Sequence, residues 1–113
     1  NLSAKRSFTH VNDMARAYEL ALNKGKAGQL YLIGSDMIFT IKEILEKLIK
    51  MSTNKGITYK ISKDRLRPTE LNYLIGDCSK FIKLTKWKYE KNINDILYDT
   101  LQYWREFIKN KYY

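Results

Sequence analysis

The chain has 113 residues, room for one modest core that buries roughly two-thirds of the surface its unfolded form would expose. Apolar residues make up 44% and charged residues 29%, a globular balance that excludes intrinsic disorder, and no apolar run approaches the ~20 residues of a membrane-spanning helix. The net charge of +9 raises nucleic acid as a partner, but lysines such as Lys42, Lys47 and Lys50 recur at helical spacing among apolar residues, as on a solvated surface, so neither nucleic-acid binding nor membrane insertion is expected.

Residues 6–11 mix aromatic, β-branched and polar types, which suits a short strand. A helix follows, with Asn12 or Asp13 as its cap, because a short side-chain oxygen accepts from the unpaired first-turn amides. Met14, Ala17, Tyr18 and Ala21 form its apolar stripe, and Gly25 or Gly28 ends it. Residues 29–33 are a nearly continuous apolar run between glycines, the pattern of a strand covered on both faces in a parallel sheet. Thr40 and Glu43 then spell a capping box, with Phe39 placed to staple onto Ile44. Ile41, Ile44, Leu45, Leu48 and Ile49 give that helix its buried stripe. After a turn at 52–56, Ile57, Tyr59 and Ile61 alternate with polar residues as in a half-buried strand. The loop 64–70 carries the only proline, Pro68, which biases Arg67 away from helix. A short apolar run at 71–75 reads as strand or loop. Asp77 is placed to cap a helix through Phe81, Ile82 and Leu84, and Trp87 lies just beyond. Ile93, Ile96, Leu97, Leu101, Trp104 and Ile108 describe a long amphipathic helix. Alternation of this kind predicts an α/β fold. The first 35 residues or so lack the partner strands a parallel sheet needs, so a longer parent chain, truncated at its N-terminal side, is expected.

Catalytic signatures are sparse. The five glycines never fall in the G-x-G-x-x-G spacing that cradles a dinucleotide, and neither a P-loop nor a G-x-S-x-G elbow is present. A lone histidine ending a strand, His10, is more often structural than a general base. Cys78, at a possible helix N-terminus, has the alternatives of a lowered thiol pKa or plain packing, and packing is the commoner fate. A single cysteine with one histidine gives no disulfide and no zinc site, and predicts a reducing, cytoplasmic setting. The stretch Arg65-Leu66-Arg67-Pro68-Thr69-Glu70 is richer: its guanidiniums suit bidentate phosphate binding, and Glu70 suits acceptance from vicinal sugar hydroxyls. The same stretch also reads as a solvated loop with a weak ion pair. Arg6 is one more potential phosphate partner.

At these residues the sequence resembles a known family. Asn1-Leu2-Ser3-Ala4-Lys5-Arg6-Ser7-Phe8-Thr9-His10-Val11-Asn12-Asp13, Tyr31-Leu32-Ile33-Gly34-Ser35, Leu66-Arg67-Pro68-Thr69-Glu70, Gly76-Asp77-Cys78-Ser79-Lys80 and Trp87 are similar, in order and rough spacing, to the C-terminal part of the GDP-mannose 4,6-dehydratases. The closely related GDP-4-keto-6-deoxymannose reductases share the pattern. Both belong to the extended short-chain dehydrogenase/reductases of NAD-dependent epimerase/dehydratase type. The resemblance implies that residues 1–35 complete the edge of a Rossmann domain and that residues 36–113 form a small substrate-binding domain. It implies Arg6 and Arg67 at the diphosphate of a GDP-sugar, Glu70 at its ribose, and Asn1 and Lys5 along the nucleotide pocket. Asp13, Gly76 and Asp77 stay structural in that comparison. The NAD(P) cofactor and the catalytic Ser/Thr, Tyr and Lys set are implied for an N-terminal Rossmann domain upstream of Asn1. This stretch alone is accordingly expected to hold no catalytic or cofactor-binding residue and to be inactive, with a homo-oligomer open. Alternatives are a reductase, another nucleotide-sugar epimerase or dehydratase, or a basic non-catalytic binding module. The chain departs from the family at Ser7, usually Asp, and at Lys86, usually Gly.

Overall fold

A computed structural model describes residues 1–66 and 71–112, with Arg65 described by its backbone alone; Arg67, Pro68, Thr69 and Glu70 of the expected clamp lie outside the described residues, as does Tyr113. The α/β expectation holds, but the sheet is small and mixed. Strand β1 (Lys5–Ser7) is its centre, antiparallel to β2 (Ile38–Thr40) and parallel to β3 (Tyr73–Leu74). In register, Arg6 stands opposite Phe39 on one side and Leu74 on the other. The helices are α1 (Val11–Lys24), α2 (Ile41–Met51), α3 (Ser79–Thr85) and α4 (Ile93–Tyr112).

Part of the predicted stripe of α1, Ala17 and Ala21, closes on α3, whereas Tyr18 is exposed. Ala17 and Phe81 are fully buried with Trp87, and Leu20, Ala21, Tyr31 and Ile33 pack around them. Phe81 meets Tyr31 edge-on at 6.1 Å and Trp87 at 6.3 Å between ring centroids, the offset geometry that aromatic quadrupoles favour. The capping box of α2 forms as read: the Glu43 amide donates to Thr40 Oγ1 at 3.1 Å and the Thr40 amide to Glu43 Oε2 at 2.7 Å. Its stripe is only half-buried, however, and α2 has no fully buried residue.

Three expectations change. His10, and neither Asn12 nor Asp13, caps α1: its Nδ1 accepts from the Asn12 amide at 3.1 Å, because an imidazole reaches the amide two residues on as a short carboxylate would. Gly25 ends that helix, its amide donating to the Ala21 carbonyl at 2.8 Å. Residues 29–33 and 57–61 join no strand ladder. Among the described residues no strand flanks 29–33, Leu30 and Leu32 are exposed, and Lys80 Nζ takes the Leu30 carbonyl at 3.0 Å. The alternation at Ile57, Tyr59 and Ile61 buries no face, all three side chains being exposed. Lastly, the chain turns out of α3 through Lys86 at φ 60°, the only non-glycine with positive φ among the described residues, which explains why a glycine suits that position.

Candidate functional site

The residues leading into β1 are fixed by the start of α2. The Ala4 carbonyl accepts from the Ile41 amide at 3.1 Å and the Leu2 carbonyl from the Lys42 amide at 2.9 Å, so two otherwise orphaned helix donors hold residues 1–4 in place. Asn1 folds back on itself, its Oδ1 accepting from the Ser3 amide at 3.1 Å and the Ser3 hydroxyl at 2.7 Å. Its Nδ2 donates to Asn72 Oδ1 at 2.8 Å, and the Lys5 amide donates to the Asn72 carbonyl at 2.8 Å. No sequence signal marks the bond from Asn1 to Asn72, because its partners lie 71 residues apart.

A hollow of about 580 Å³ opens between Asn1, Leu2, Lys42, Tyr59, Ile61 and Leu66. That volume falls within the ~300–1,000 Å³ typical of small-ligand sites. Leu66 directly precedes Arg67, and Asn72 follows Glu70 by two positions. Both described flanks of the 67–70 stretch therefore reach Asn1, one through the wall of the hollow and one through a hydrogen bond. Arg6 is half-buried at the middle of the sheet, and its Nη1 donates to the Lys5 carbonyl at 2.8 Å. Strand alternation sends the Lys5 and Arg6 side chains to opposite faces. Lys5 reaches the start of α2: the Glu43 carboxyl is held below the usual carboxylate range chiefly by the Thr40 amide, then by the Thr40 hydroxyl, with the charges of Lys5 and Lys47 assisting against burial.

The other polar residues singled out in the sequence hold the fold together. His10 Nε2 lies 3.0 Å from Asp99 Oδ2, and because Nδ1 already accepts from an amide, the ring proton sits on Nε2 and is donated to α4. Asp13, only 1% exposed, is a hub. Its carboxylate accepts from Arg16 at 2.6 Å and from the Glu90 and Lys91 amides at 3.0 Å each, while its carbonyl accepts from Trp87 Nε1 at 3.1 Å. Burial, the largest influence, pushes the Asp13 carboxyl up; the hydrogen bonds from Arg16, Lys91 and Glu90 and the Arg16 charge together outweigh it and hold the group below its ordinary value. Cys78 is no activated thiol, since burial and the neighbouring Asp77 charge push it up. Asp77 Oδ1 accepts from the Ser79 amide at 2.9 Å, serving α3 from one residue ahead of its cap. Ser7, where the family usually has Asp, donates to the Ser35 carbonyl at 2.6 Å and ties β1 to residues beyond Gly34.

Tyr59 and Lys63 do stand in the Tyr-x-x-x-Lys spacing of the implied catalytic pair, a match within this chain that the expectation of an upstream set overlooks. In an α-helix that spacing aligns two side chains on one face. Here Tyr59 lies in irregular chain and Lys63 opens a single 3-10 turn, so no helical register brings the two together.

At the N-terminus of each described α-helix the chain's own acceptors take one or more first-turn amides. His10 serves α1, Thr40 with the Leu2 and Ala4 carbonyls serves α2, Asp77 serves α3, and Asn92 Oδ1 accepts from the Asn94 and Asp95 amides of α4. Among the described residues no group of three or more His, Cys, Asp or Glu side chains is placed to hold a metal ion, and no helix is long and apolar enough to cross a membrane.

Over residues 1–100 the sequence matches the family described as GDP-mannose 4,6 dehydratase. It is 26% identical to the GDP-mannose 4,6 dehydratase of Dictyostelium discoideum, the match covering 97% of this chain and 36% of that protein. It is 30% identical to the dTDP-glucose 4,6-dehydratase of Salmonella typhimurium over 74% of this chain and 24% of that protein. Among solved structures, RMD from Pseudomonas aeruginosa complexed with NADPH superposes with a TM-score of 0.80 at 27% identity, over 95% of this chain and 35% of that one. The chain thus spans between 24% and 36% of the length of these relatives.

Proposed function

Since the chain belongs to the GDP-mannose 4,6 dehydratase family, within the extended short-chain dehydrogenase/reductases, we propose that it supplies the nucleotide-sugar contacts of an NAD(P)-dependent enzyme acting on a GDP-sugar, with 4,6-dehydration as the reaction. Arg6 and Arg67 hold the diphosphate, Glu70 accepts from the ribose hydroxyls, and Asn1 and Lys5 line the nucleotide pocket. Residues 1–35 complete the edge of a Rossmann domain that carries cofactor and catalytic groups, and residues 36–113 form the small substrate-binding domain. One observation carries this reading: both described flanks of the 67–70 stretch, Leu66 and Asn72, meet at Asn1 beside a nucleotide-sized hollow. A guanidinium is chemically suited to bidentate phosphate binding, and a carboxylate three residues on is suited to a diol. Support for an adjoining Rossmann domain comes from residues 29–33, an apolar segment that joins no strand ladder among the described residues and leaves Leu30 78% exposed.

Calorimetric titration of the 113-residue chain with GDP-mannose tests the reading. Saturable binding is expected, weakened at least tenfold by Arg67→Ala and by Glu70→Ala, as loss of a charge-assisted contact of about 1.5–3 kcal/mol requires. Binding that ignores both substitutions would refute the clamp. Equal affinity for GDP and dTDP would refute the GDP-sugar assignment and leave only the wider nucleotide-sugar class.

A further inference from the structure

The apolar stripe of α4 runs on past the core it serves. Ile93 and Leu97 are buried and Leu101 is half-buried, whereas Trp104, Phe107 and Ile108 are exposed. Along this uncovered length lies a row at i+4 spacing, Asp99, Tyr103, Phe107 and Lys111, all exposed and neighbours on one ridge of the helix. The Tyr103 and Phe107 rings are stacked, 6.2 Å apart and inclined by 19°, and Trp104 meets each of them edge-on at 5.5 Å. An acid and a base stand at the two ends. Lys111 Nζ lies 5.8 Å from the centre of the Phe107 ring. Asp99, its side chain 51% exposed, lines one hollow with Tyr103 and is held in place by the bond from His10. Tyr103, Phe107 and Lys111 lie past residue 100, where the family match ends.

We propose that this row is a self-complementary interface through which two copies of the chain pair antiparallel across α4. Reversing the row sets Tyr103 against Phe107 of the second copy and Asp99 against Lys111 of the second copy. A two-fold axis between the two rings makes each contact occur twice. Interdigitating i+4 ridges cross at about 50°, the commonest helix packing class, so the contact is confined to the stretch around the axis. The end charges choose the occupant. A purely anionic or cationic partner satisfies one end of the row and repels the other, whereas a second copy satisfies both, and only when antiparallel. The net charge of +9 opposes association, but beyond ~8 Å it is largely screened at physiological ionic strength. Area sets the strength. Tyr103, Trp104, Phe107 and Ile108 are 43–60% exposed, which at ~150–250 Å² for an aromatic side chain gives about 400 Å² per copy. That is below the ~800 Å² per partner of a stable complex. The dimer is therefore weak and concentration-dependent, held by the rings, with the exposed ion pairs fixing its register.

Sedimentation equilibrium of the 113-residue chain, from about 10 μM to about 1 mM, tests the pairing. The mass is expected to rise from 13.4 kDa toward twice that value. Phe107→Ala removes a ring from each copy, and Lys111→Glu sets like charges together at both ends. Each is expected to raise the dissociation constant about tenfold or more. Circular dichroism establishes that both variants keep their helices. A water-soluble carbodiimide reads the register, because Asp99 and Lys111 of one copy stand ~18 Å apart along the helix, too far for a direct amide bond. An Asp99 to Lys111 cross-link found by peptide mass spectrometry therefore joins two copies. A single-chain mass at every concentration overturns the proposal, as does a dimer that survives both substitutions or forms without that cross-link. Monomer that sediments with phosphatidylglycerol vesicles and is released by Phe107→Ala would instead assign the row to a lipid surface and overturn it equally.

Discussion

Replacing Asp13 by alanine tests the physical account of the fold at its most connected point. The carboxylate accepts from the Glu90 and Lys91 amides and from Arg16, joining α1 to the chain between α3 and α4, a link spanning 77 and 78 residues. Alanine leaves two backbone donors beside a buried site with no acceptor of matching reach. At about 1–3 kcal/mol for each of the two unsatisfied donors, the loss is about 2–6 kcal/mol, a large share of a stability of about 5–15 kcal/mol. Asp13→Asn keeps one acceptor oxygen, and a cost of about 1–2 kcal/mol is expected. Urea unfolding followed by Trp87 fluorescence reports the change directly, because that indole donates to the Asp13 carbonyl. A midpoint for Asp13→Ala within about 0.5 kcal/mol of the unsubstituted chain, the range of ordinary surface substitutions, would refute the role assigned to this residue. The acid limb supplies a second readout. With its folded pKa below the ordinary 3.8, Asp13 contributes stability that is complete above that value and is lost as pH falls from 3.8 through the folded pKa. Asp13→Asn should lack this part of the acid slope.

Further substitutions probe separate elements. Lys86→Gly relieves a left-handed backbone at φ 60°, so a gain of about 0.5–1 kcal/mol in urea or thermal unfolding is expected. Phe81→Ala empties the centre of the Ala17, Phe81 and Trp87 cluster and should cost about 3–5 kcal/mol, measured by the same unfolding curve. Thr40→Ala removes the acceptor of the α2 capping box and should cost about 1 kcal/mol, with a matching loss of helical circular dichroism on heating.

What the sequence discloses and what it conceals divide by range. The capping box at Thr40 and Glu43 was legible because both partners lie within one helical turn, and α4 was legible because its stripe repeats over many turns. The cap of α1 is not legible in the sequence, because Asn12 and Asp13 carry the usual capping side chains, whereas His10 takes the amide and Asp13 is drawn inward by donors far along the chain. Residues 29–33 have strand composition, yet strand formation needs a neighbour, and hydrogen bonds to Lys80 and packing of Tyr31 on Phe81 decide their path instead. The same limit applies to the site. Arg67 and Glu70 stood out by residue type and spacing, but the bond between Asn1 and Asn72, which draws the flank of that stretch to the start of the chain, has no local signature.

A crystal structure of the 113-residue chain with GDP bears most directly on the central claim. The account predicts the diphosphate between the guanidiniums of Arg6 and Arg67, with the ribose hydroxyls on Glu70. A nucleotide bound elsewhere, or those two arginines turned to opposite faces around an ordered ligand, would contradict it.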